Sequence, residues 1–411
     1  MLNDQATFFI LPSDIHINVG DKQMEPGKLN RNTLLLIVVA CIVIGALVLV
    51  YGNGINKEPV RVGFSATLTG SQAELGVQER NGVQLAMEDI NAAGGVNGRP
   101  IELIVRDDLG TPDGAKSVDS ELINSSVVAI IGPATSDQAL AALDVTNPAR
   151  MVMISPTVSS PLFSGKDDYF FMAMASNPVR AQAFAQAIYL HRNVTRIAAI
   201  YDTDNAAYTQ TYLESFAEKY ESLGGMVVAQ DNFSSITQPD FTPLLLQLRA
   251  GNPDGLLIIA SDADTALIAQ RARSMGWQVP LFTSTWAETE TLITNGGKAV
   301  GGMEIEQVFP LDSQAPDYRE FKTRFETRFG QSPSFGAMYG FESMKVLAAA
   351  LQKTNGRADG LKQALLGIQN FTGLVNSFSF NQYGDVVRPF SIGSVRNGTF
   401  VTTDVYPPAG S

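Results

Sequence analysis

Residues 60–108, VRVGFSATLTGSQAELGVQERNGVQLAMEDINAAGGVNGRPIELIVRDD, spell out a complete strand–helix–strand unit. Val60, Val62 and Phe64 recur at period two, the repeat of a strand. After a loop rich in Thr, Gly and Ser, Val83, Ala86, Met87 and Ile90 fall at i, i+3, i+4 and i+7, one face of a helix. Gly94 and Gly95 stop that helix, because glycine takes the left-handed conformation at a helix end without a steric penalty. Ile101, Leu103 and Val105 then alternate again. Two strands joined through a helix are usually parallel, with a right-handed crossover. The stretch is the first βαβ unit of a doubly wound sheet.

The pattern repeats downstream. The spacing predicts a helix over Pro112–Asn124, a buried strand over Val127–Gly132, a helix over Ser136–Asp144 and a strand over Met151–Ser155. The loops 66–75, 107–111, 132–136 and 155–161 then share the carboxyl edge of the sheet, where open α/β sheets bind ligands. Near Ala175-Ser176-Asn177-Pro178 the chain restarts. Expected helices are Val179–His191, Tyr208–Leu223, Phe241–Ala250, Ala263–Gly276 and Glu288–Asn295. Expected strands are Arg196–Tyr201, Met226–Gln230, Gly255–Ala260, Pro280–Ser284 and Met303–Val308. Three further helices, Pro316–Phe329, Ala337–Gln352 and Gly360–Leu366, come with few strands of their own and cannot form a third domain.

With 411 residues, 45% of them hydrophobic, the chain is long enough to bury substantial cores. The net charge is −12. Acids and bases ahead of Gly52 nearly cancel, so the deficit belongs to the part after it, and no basic tract is present. Nucleic-acid binding needs clustered Lys and Arg at the phosphates, which excludes that class. One cysteine, Cys41, excludes an intrachain disulfide and a Cys-based zinc site.

Residues 1–32 are polar and aperiodic, and a disordered cytoplasmic tail is expected. Met24, opening MEPGKLNRN, is an alternative start. Leu34–Val50 follows without a charge. With its flanks, 33–52, it approaches the roughly 20 residues that cross a hydrocarbon core. Lys28 and Arg31 precede it, which places the N-terminus inside and the rest outside. A cleaved signal peptide is the alternative, but no small-residue cleavage site follows Val50. Val38-Val39-Ala40-Cys41 only loosely resembles a lipoprotein box. An uncleaved anchor is the reading adopted.

No enzyme motif is present: no GxxxxGK[ST] loop, GxSxG elbow, HExxH or GxGxxG after a strand. His16 precedes the anchor, and His191 in the last turn of a helix reads as a cation at its negative end. Asp107-Asp108 reads as a solvated strand end. No cofactor and no metal are called for.

The segments ATLTG (66–70) and EDINAAGGVNGRPIEL (88–103), followed by the strand ending in Asp107-Asp108, carry a family resemblance. Residues 60–405 resemble the extracytoplasmic type I solute receptors of ABC importers, in particular the leucine/isoleucine/valine-binding proteins. The resemblance implies two doubly wound, Rossmann-like α/β lobes joined by a three-stranded hinge, the type I periplasmic binding protein fold, here preceded by one transmembrane helix. Lobe one would comprise 58–177 plus 311–380, lobe two 178–310 plus 381–407, with crossings near Asn177, Pro310 and Phe380–Asp385. Such a receptor is a monomer that closes over its solute and is not an enzyme. Its partners are a small ligand (an amino acid or amide), ABC permease and ATPase subunits, and the membrane through residues 33–52. The alternative is an anchored sensor signalling through a partner, since a tail of about 30 residues is too short for a folded output domain.

By the same resemblance Ser136 sits at the position of a serine that binds the ligand carboxylate. An N-cap is its structural alternative. Thr157 and Ser159 match two further ligand contacts, Ser159 replacing a threonine. Tyr208 matches a tyrosine over the ligand, with packing on the helix face as its rival. Trp286 stands where the leucine-binding relatives place a glutamate for the ligand ammonium. It offers its ring face to a cation or fills the core of lobe two, and Glu288 falls further along, in the expected helix. Gly110 and Thr135 stand near the positions of the family's disulfide.

Overall fold

In the computed structural model, which describes residues 35–40, 58–70, 72–237 and 240–407, the opening stretch folds as its periodicity predicts. It gives Val60–Ala66 (β1), Ala73–Ala92 (α1) and Ile101–Asp107 (β2). Every residue of β1 except Arg61 is buried. The sheet is covered on both faces, as parallel sheets normally are, so burial exceeds what a period of two implies. Pro112–Asn124 (α2) follows, capped by the Thr111 hydroxyl, which accepts the Gly114 N–H at 3.0 Å. Next come Ile130–Ile131 (β3), Ser136–Thr146 (α3), Met153–Ser155 (β4) and Phe170–Met172 (β5). The five strands are parallel in the order β2-β1-β3-β4-β5.

The expected strand 127–132 contracts to two paired residues. The main chain still continues the ladder, through Val128 N–H to the Arg61 carbonyl and Gly132 N–H to the Ile154 carbonyl, both at 2.9 Å. β5 is an addition to the expected elements, since three residues are too short to show a period.

The second sheet is built from Pro178–Arg192 (α4), Arg196–Asp202 (β6), Ala206–Ser222 (α5), Met226–Phe233 (β7), Phe241–Ala250 (α6) and Gly255–Ile259 (β8). Asp262–Ser274 (α7), Leu281–Thr283 (β9), Glu290–Gly296 (α8) and Glu304–Gln307 (β10) continue it. After Pro316–Phe329 (α9), Phe335–Lys353 (α10) and Leu361–Leu366 (α11) come a small hairpin, Phe371–Thr372 (β11) with Ser377–Phe378 (β12), and then Phe390–Arg396 (β13) and Thr399–Tyr406 (β14). The order is β14-β13-β10-β9-β8-β6-β7, with β13 and β14 antiparallel to their neighbours. β13–β14 is a second addition. Its turn is Asn397-Gly398, with φ of 51° and 76°, a pair suited to a two-residue hairpin turn.

The chain passes between the sheets three times: from β5 to α4, from β10 to α9, and from β12 to β13. Buried polar contacts tie these passages together. Tyr339 Oη donates to the Val308 carbonyl at 3.2 Å. Arg388 Nη1 donates to Glu342 Oε2 at 2.7 Å, and its guanidinium lies 3.8 Å from the centre of the Phe378 ring. Arg180, fully enclosed, donates to Glu306 Oε1 at 2.5 Å and to the Ala175 carbonyl at 3.3 Å.

The tail 1–32 and most of the anchor 33–52 lie outside the described residues. Residues 35–40 are helical, and among the described residues no helix is long and apolar enough to cross a membrane. Lys57–Ser411 forms one compact unit.

α10 returns to the first sheet and lies directly against α1. A Cβ on Gly82 would sit 1.8 Å from the Ala337 carbonyl oxygen, and one on Gly340 would sit 2.4 Å from that of Glu79. Alanine at position 82 gains about 1 kcal/mol of helix propensity. Overpacking costs about 1–3 kcal/mol, and here the obstacle is backbone rather than a movable side chain. The upper end of that cost applies, and Gly82→Ala is therefore expected to lose about 2 kcal/mol net in urea unfolding, with an unchanged denaturant slope. Unchanged or increased stability overturns the close-packing account.

Candidate functional site

The carboxyl ends of the two sheets enclose a cavity lined by Leu75, Ala134, Thr135, Ser136, Thr157, Met174, Asn205, Tyr208, Thr285, Trp286 and Phe335. Four of the five expected contacts line this cavity, Ser136 and Thr157 from the first sheet's side, Tyr208 and Trp286 from the second's. Ser159 is buried but does not line it, and its hydroxyl has no hydrogen-bond partner. Its carbonyl is used instead, accepting the Asn177 N–H at 2.8 Å where the chain leaves the first sheet. The cavity measures about 20 Å³, room for about one water and far below the roughly 300 Å³ at which small-molecule pockets begin. A wider hollow of about 460 Å³, edged by Asp89, Arg324 and Lys345, lies between helices α1, α9 and α10 and the β11–β12 hairpin, away from the carboxyl ends of the two parallel sheets.

Ser136 is the first residue of α3, and the cap position belongs to Thr135, at φ −118° and ψ 156°. This corrects the N-cap alternative for Ser136. The Thr135 hydroxyl bonds the Gln138 side chain and leaves the helix start uncapped. The N–H groups of Ser136 and Asp137 donate instead to Asn205 Oδ1, at 3.0 and 3.3 Å. They are thus already satisfied from the second lobe.

Thr157 bonds the carboxylate of Glu79 and the Ala134 carbonyl, the latter at 2.7 Å. A hydroxyl has one proton and two lone pairs. Whichever acceptor takes that proton, what remains for a third group is a lone pair. Thr157 can accept from a ligand N–H and cannot donate to it. Glu79 itself is fully buried on α1, with Oε2 unpartnered, and burial pushes its carboxyl up to about 8 against the hydrogen bond from Thr157, with Asp108 adding to the rise.

On the opposite wall Tyr208 and Trp286 meet edge to face, 6.0 Å between ring centres. Both are about 5% exposed, and the Tyr208 hydroxyl is buried without a partner. Burial holds that phenol protonated well beyond its ordinary range. Trp286 sits in a short 3₁₀ turn, Thr285–Ala287. Glu288 is corrected: it precedes α8, whose cap is Thr289, and its buried carboxyl turns to Gln307 of β10 rather than to the cavity. At the rim Gln72 Nε2 donates to Asp202 Oδ2 at 2.7 Å, joining the two sheets' loops. Burial raises the Asp202 carboxyl to about 6, against the hydrogen bonds from Ser235 and the Asp204 N–H.

Asn205 and Glu79 escaped the sequence reading. Glu79 had a signal, an acid in register with Leu75 and Val83 on an otherwise buried helix face. Asn205 had only its place just ahead of a helix. No group of three or more His, Cys, Asp or Glu suited to a metal ion occurs among the described residues.

A pair of α/β sheets, linked by three passages and enclosing a cavity between their strand ends, is the architecture of a two-lobed receptor. The periplasmic binding protein family model matches residues 59–399, and the chain belongs to that family. It is similar to the Leu/Ile/Val-binding protein homolog 2 of Brucella abortus, at 24% identity over 85% of this chain and 94% of that protein. Its fold matches the branched-chain amino acid transporter substrate-binding protein LivJ from Streptococcus pneumoniae in complex with isoleucine. The TM-score is 0.79 at 24% identity, over 85% of this chain and all of the other. It also matches a solute-binding protein of an ABC transporter from R. palustris in complex with benzoate, with a TM-score of 0.78 at 18% identity, over 86% and 98%.

The raised Glu79 carboxyl favours folding most below its ordinary value of 4.5, and that contribution is lost as pH rises towards about 8. Glu79→Gln has nothing to ionise there. Its stability should therefore gain on the wild type with rising pH across this range, by up to about 1.4 kcal/mol per unit. Urea unfolding at both ends of the range checks this. Parallel pH curves for the two proteins would contradict it.

Proposed function

We propose that this chain is the extracytoplasmic solute receptor of an ABC importer, capturing an amino acid or amide-like solute by closure of lobe one (58–177 plus 311–380) on lobe two (178–310 plus 381–407). The observation that carries the reading is the meeting of Ser136 and Thr157 with Tyr208 and Trp286 around one cavity between the two sheets. The start of α3 carries N–H groups and a hydroxyl suited to a carboxylate, which would take the place of the Asn205 amide oxygen bonded there. Thr157, committed as an acceptor, suits an amine or amide N–H. The benzoate held by the R. palustris protein agrees with the carboxylate end, and the isoleucine held by the S. pneumoniae protein with both ends. A ligand drives closure because only the closed form lets both lobes touch it. The segment 33–52 tethers the receptor to the membrane's outer face, within reach of the permease.

A thermal-shift screen of amino acids and amides finds the ligand, since saturation at 100 times the dissociation constant adds about 2.7 kcal/mol. Calorimetry on Ser136→Ala then tests the carboxylate contact. A hydrogen bond to a charged group is worth about 1.5–3 kcal/mol, so binding should weaken about 10- to 100-fold. Equal affinity rejects the contact, and a screen with no stabilising compound rejects the ligand class. The tether has its own check: the full chain should stay with membranes through carbonate washing and dissolve only in detergent. A shorter soluble product beginning after Val50 would identify a signal peptide.

A further inference from the structure

Thr157 holds its hydroxyl against two acceptors at once. Its Oγ1 bonds Glu79 Oε1 on one side and the Ala134 carbonyl on the other, the latter at 2.7 Å. A hydroxyl owns one proton, so one of these contacts needs a proton from elsewhere. The Ala134 carbonyl has none to give. Glu79 as a neutral acid does: it donates to Thr157, and Thr157 donates on to Ala134. The unpartnered Glu79 Oε2 is then the carbonyl half of the acid rather than a bare charge. Burial, which raises this carboxyl to about 8, agrees with that protonation.

The surroundings bring Glu79 no cation. Facing it are Thr157, Asp108 from the loop after β2, and Gly336 and Gly340 of α10. Asp108 is itself an acid and raises the Glu79 carboxyl further. Arg324 and Arg328 of α9 and Lys345 of α10 pair with Asp89 and Glu88, near the far end of α1. Arg61 of β1 pairs with Glu102 of β2. Among the described residues that line the cavity none is charged. Thr157 lines it with a lone pair to spare.

We propose that Glu79 supplies the counter-charge for the ligand's amine, and that Thr157 carries the coupling between them. An ammonium donates to the spare lone pair of Thr157, one hydroxyl away from the Glu79 carboxyl. Its positive charge stabilises the carboxylate, and the acid proton leaves for solvent. Thr157 turns its own proton from Ala134 to the carboxylate, and the Ala134 carbonyl is freed for a second N–H of the ammonium. The ligand keeps every proton it brought; the one lost is that of Glu79. Because the ion pair forms only with an amine in place, the site separates an amino acid from the same acid lacking its amine. This rests on the amine end of the function proposed above.

Calorimetry in buffers of differing ionisation enthalpy counts the protons released. Full-length protein in detergent is titrated with the proteinogenic L-amino acids and with the carboxylic acids that lack their α-amine. At about pH 7 an amino acid that binds should release about 0.5–1 proton. Its affinity should rise by up to about tenfold per unit from about pH 6 towards 8, then level off. The amine-free acid should release none. Glu79→Gln can donate to Thr157 as the neutral acid does, so the wall survives. It should bind the amino acid without proton release and about 10- to 100-fold more weakly at about pH 8, and bind the amine-free acid as the parent does. Thr157→Val keeps the acid but cuts the link, and release should fall; undiminished release there overturns the coupling. Release that persists in Glu79→Gln comes from another acid, such as Asp202 or Asp137, and overturns the proposal. So does an amino acid that binds the parent with no release, while the receptor reading stands. If amine-free acids bind and no amino acid does, the amine end falls and the proposal with it, and the carboxylate end survives. Binding of neither class rejects the amino acid reading and the proposal together.

Discussion

α1 and α10 lie backbone against backbone, and Gly82 and Gly340 are what permit it. Between them are roughly 250 residues of chain, including the whole parallel part of the second sheet. The first turns of these helices carry Leu75 and Phe335 to the cavity wall, and α1 also places Glu79 behind Thr157. If either glycine gained a methyl group, the helix axes would have to separate. The wall would then shift before any polar residue lining the cavity had changed. The site is thus positioned by the close packing of one helix backbone on another.

Around that packing constraint sits a costly set of buried charges. Breaking a buried ion pair by removing one partner costs about 3–5 kcal/mol, and both Arg180–Glu306 and Arg388–Glu342 are of this kind. Their value lies in location. One is anchored beside the first passage between the sheets, the other at the third, where Tyr339 under Arg388 joins it to the second. Charge pairs of fixed geometry define where the chain bends. Glu79 and Glu288, by contrast, have no cationic partner within hydrogen-bonding reach, and burial keeps their carboxyls protonated beyond the ordinary range. They behave as neutral hydrogen-bonding groups, one steering Thr157 and the other holding Gln307.

Much of the layout was legible because periodicity and glycine placement act locally. β1, α1 and β2 follow from spacing alone, and α6 and α9 occur within the expected limits. β5 was not legible, since three buried residues carry no period. β13–β14 did carry a signal, the Asn397-Gly398 turn, but burial on both faces of β13 hides its alternation. At the site, resemblance singled out Ser136, Thr157, Tyr208 and Trp286, all of which line the cavity, while the direction in which each polar group points depended on distant partners. Ser159 turns its carbonyl to use and not its hydroxyl, Glu288 faces β10, and Asn205 reaches a helix some 70 positions earlier in the chain. Nothing local to those residues encodes such choices.

The late return of the chain has a consequence for when this protein can become itself. The first sheet lacks its α10 cover, and β10 lacks its neighbour β13, until residues beyond 334 have been made. Contacts so far apart in sequence form slowly, because a long loop must close before they repay its entropy. A growing polypeptide therefore remains unfinished through most of its synthesis, with neither half able to settle early. The chain thus stays slack until nearly all of it is present, and its maturation is timed by its last helices and strands rather than by its first βαβ unit.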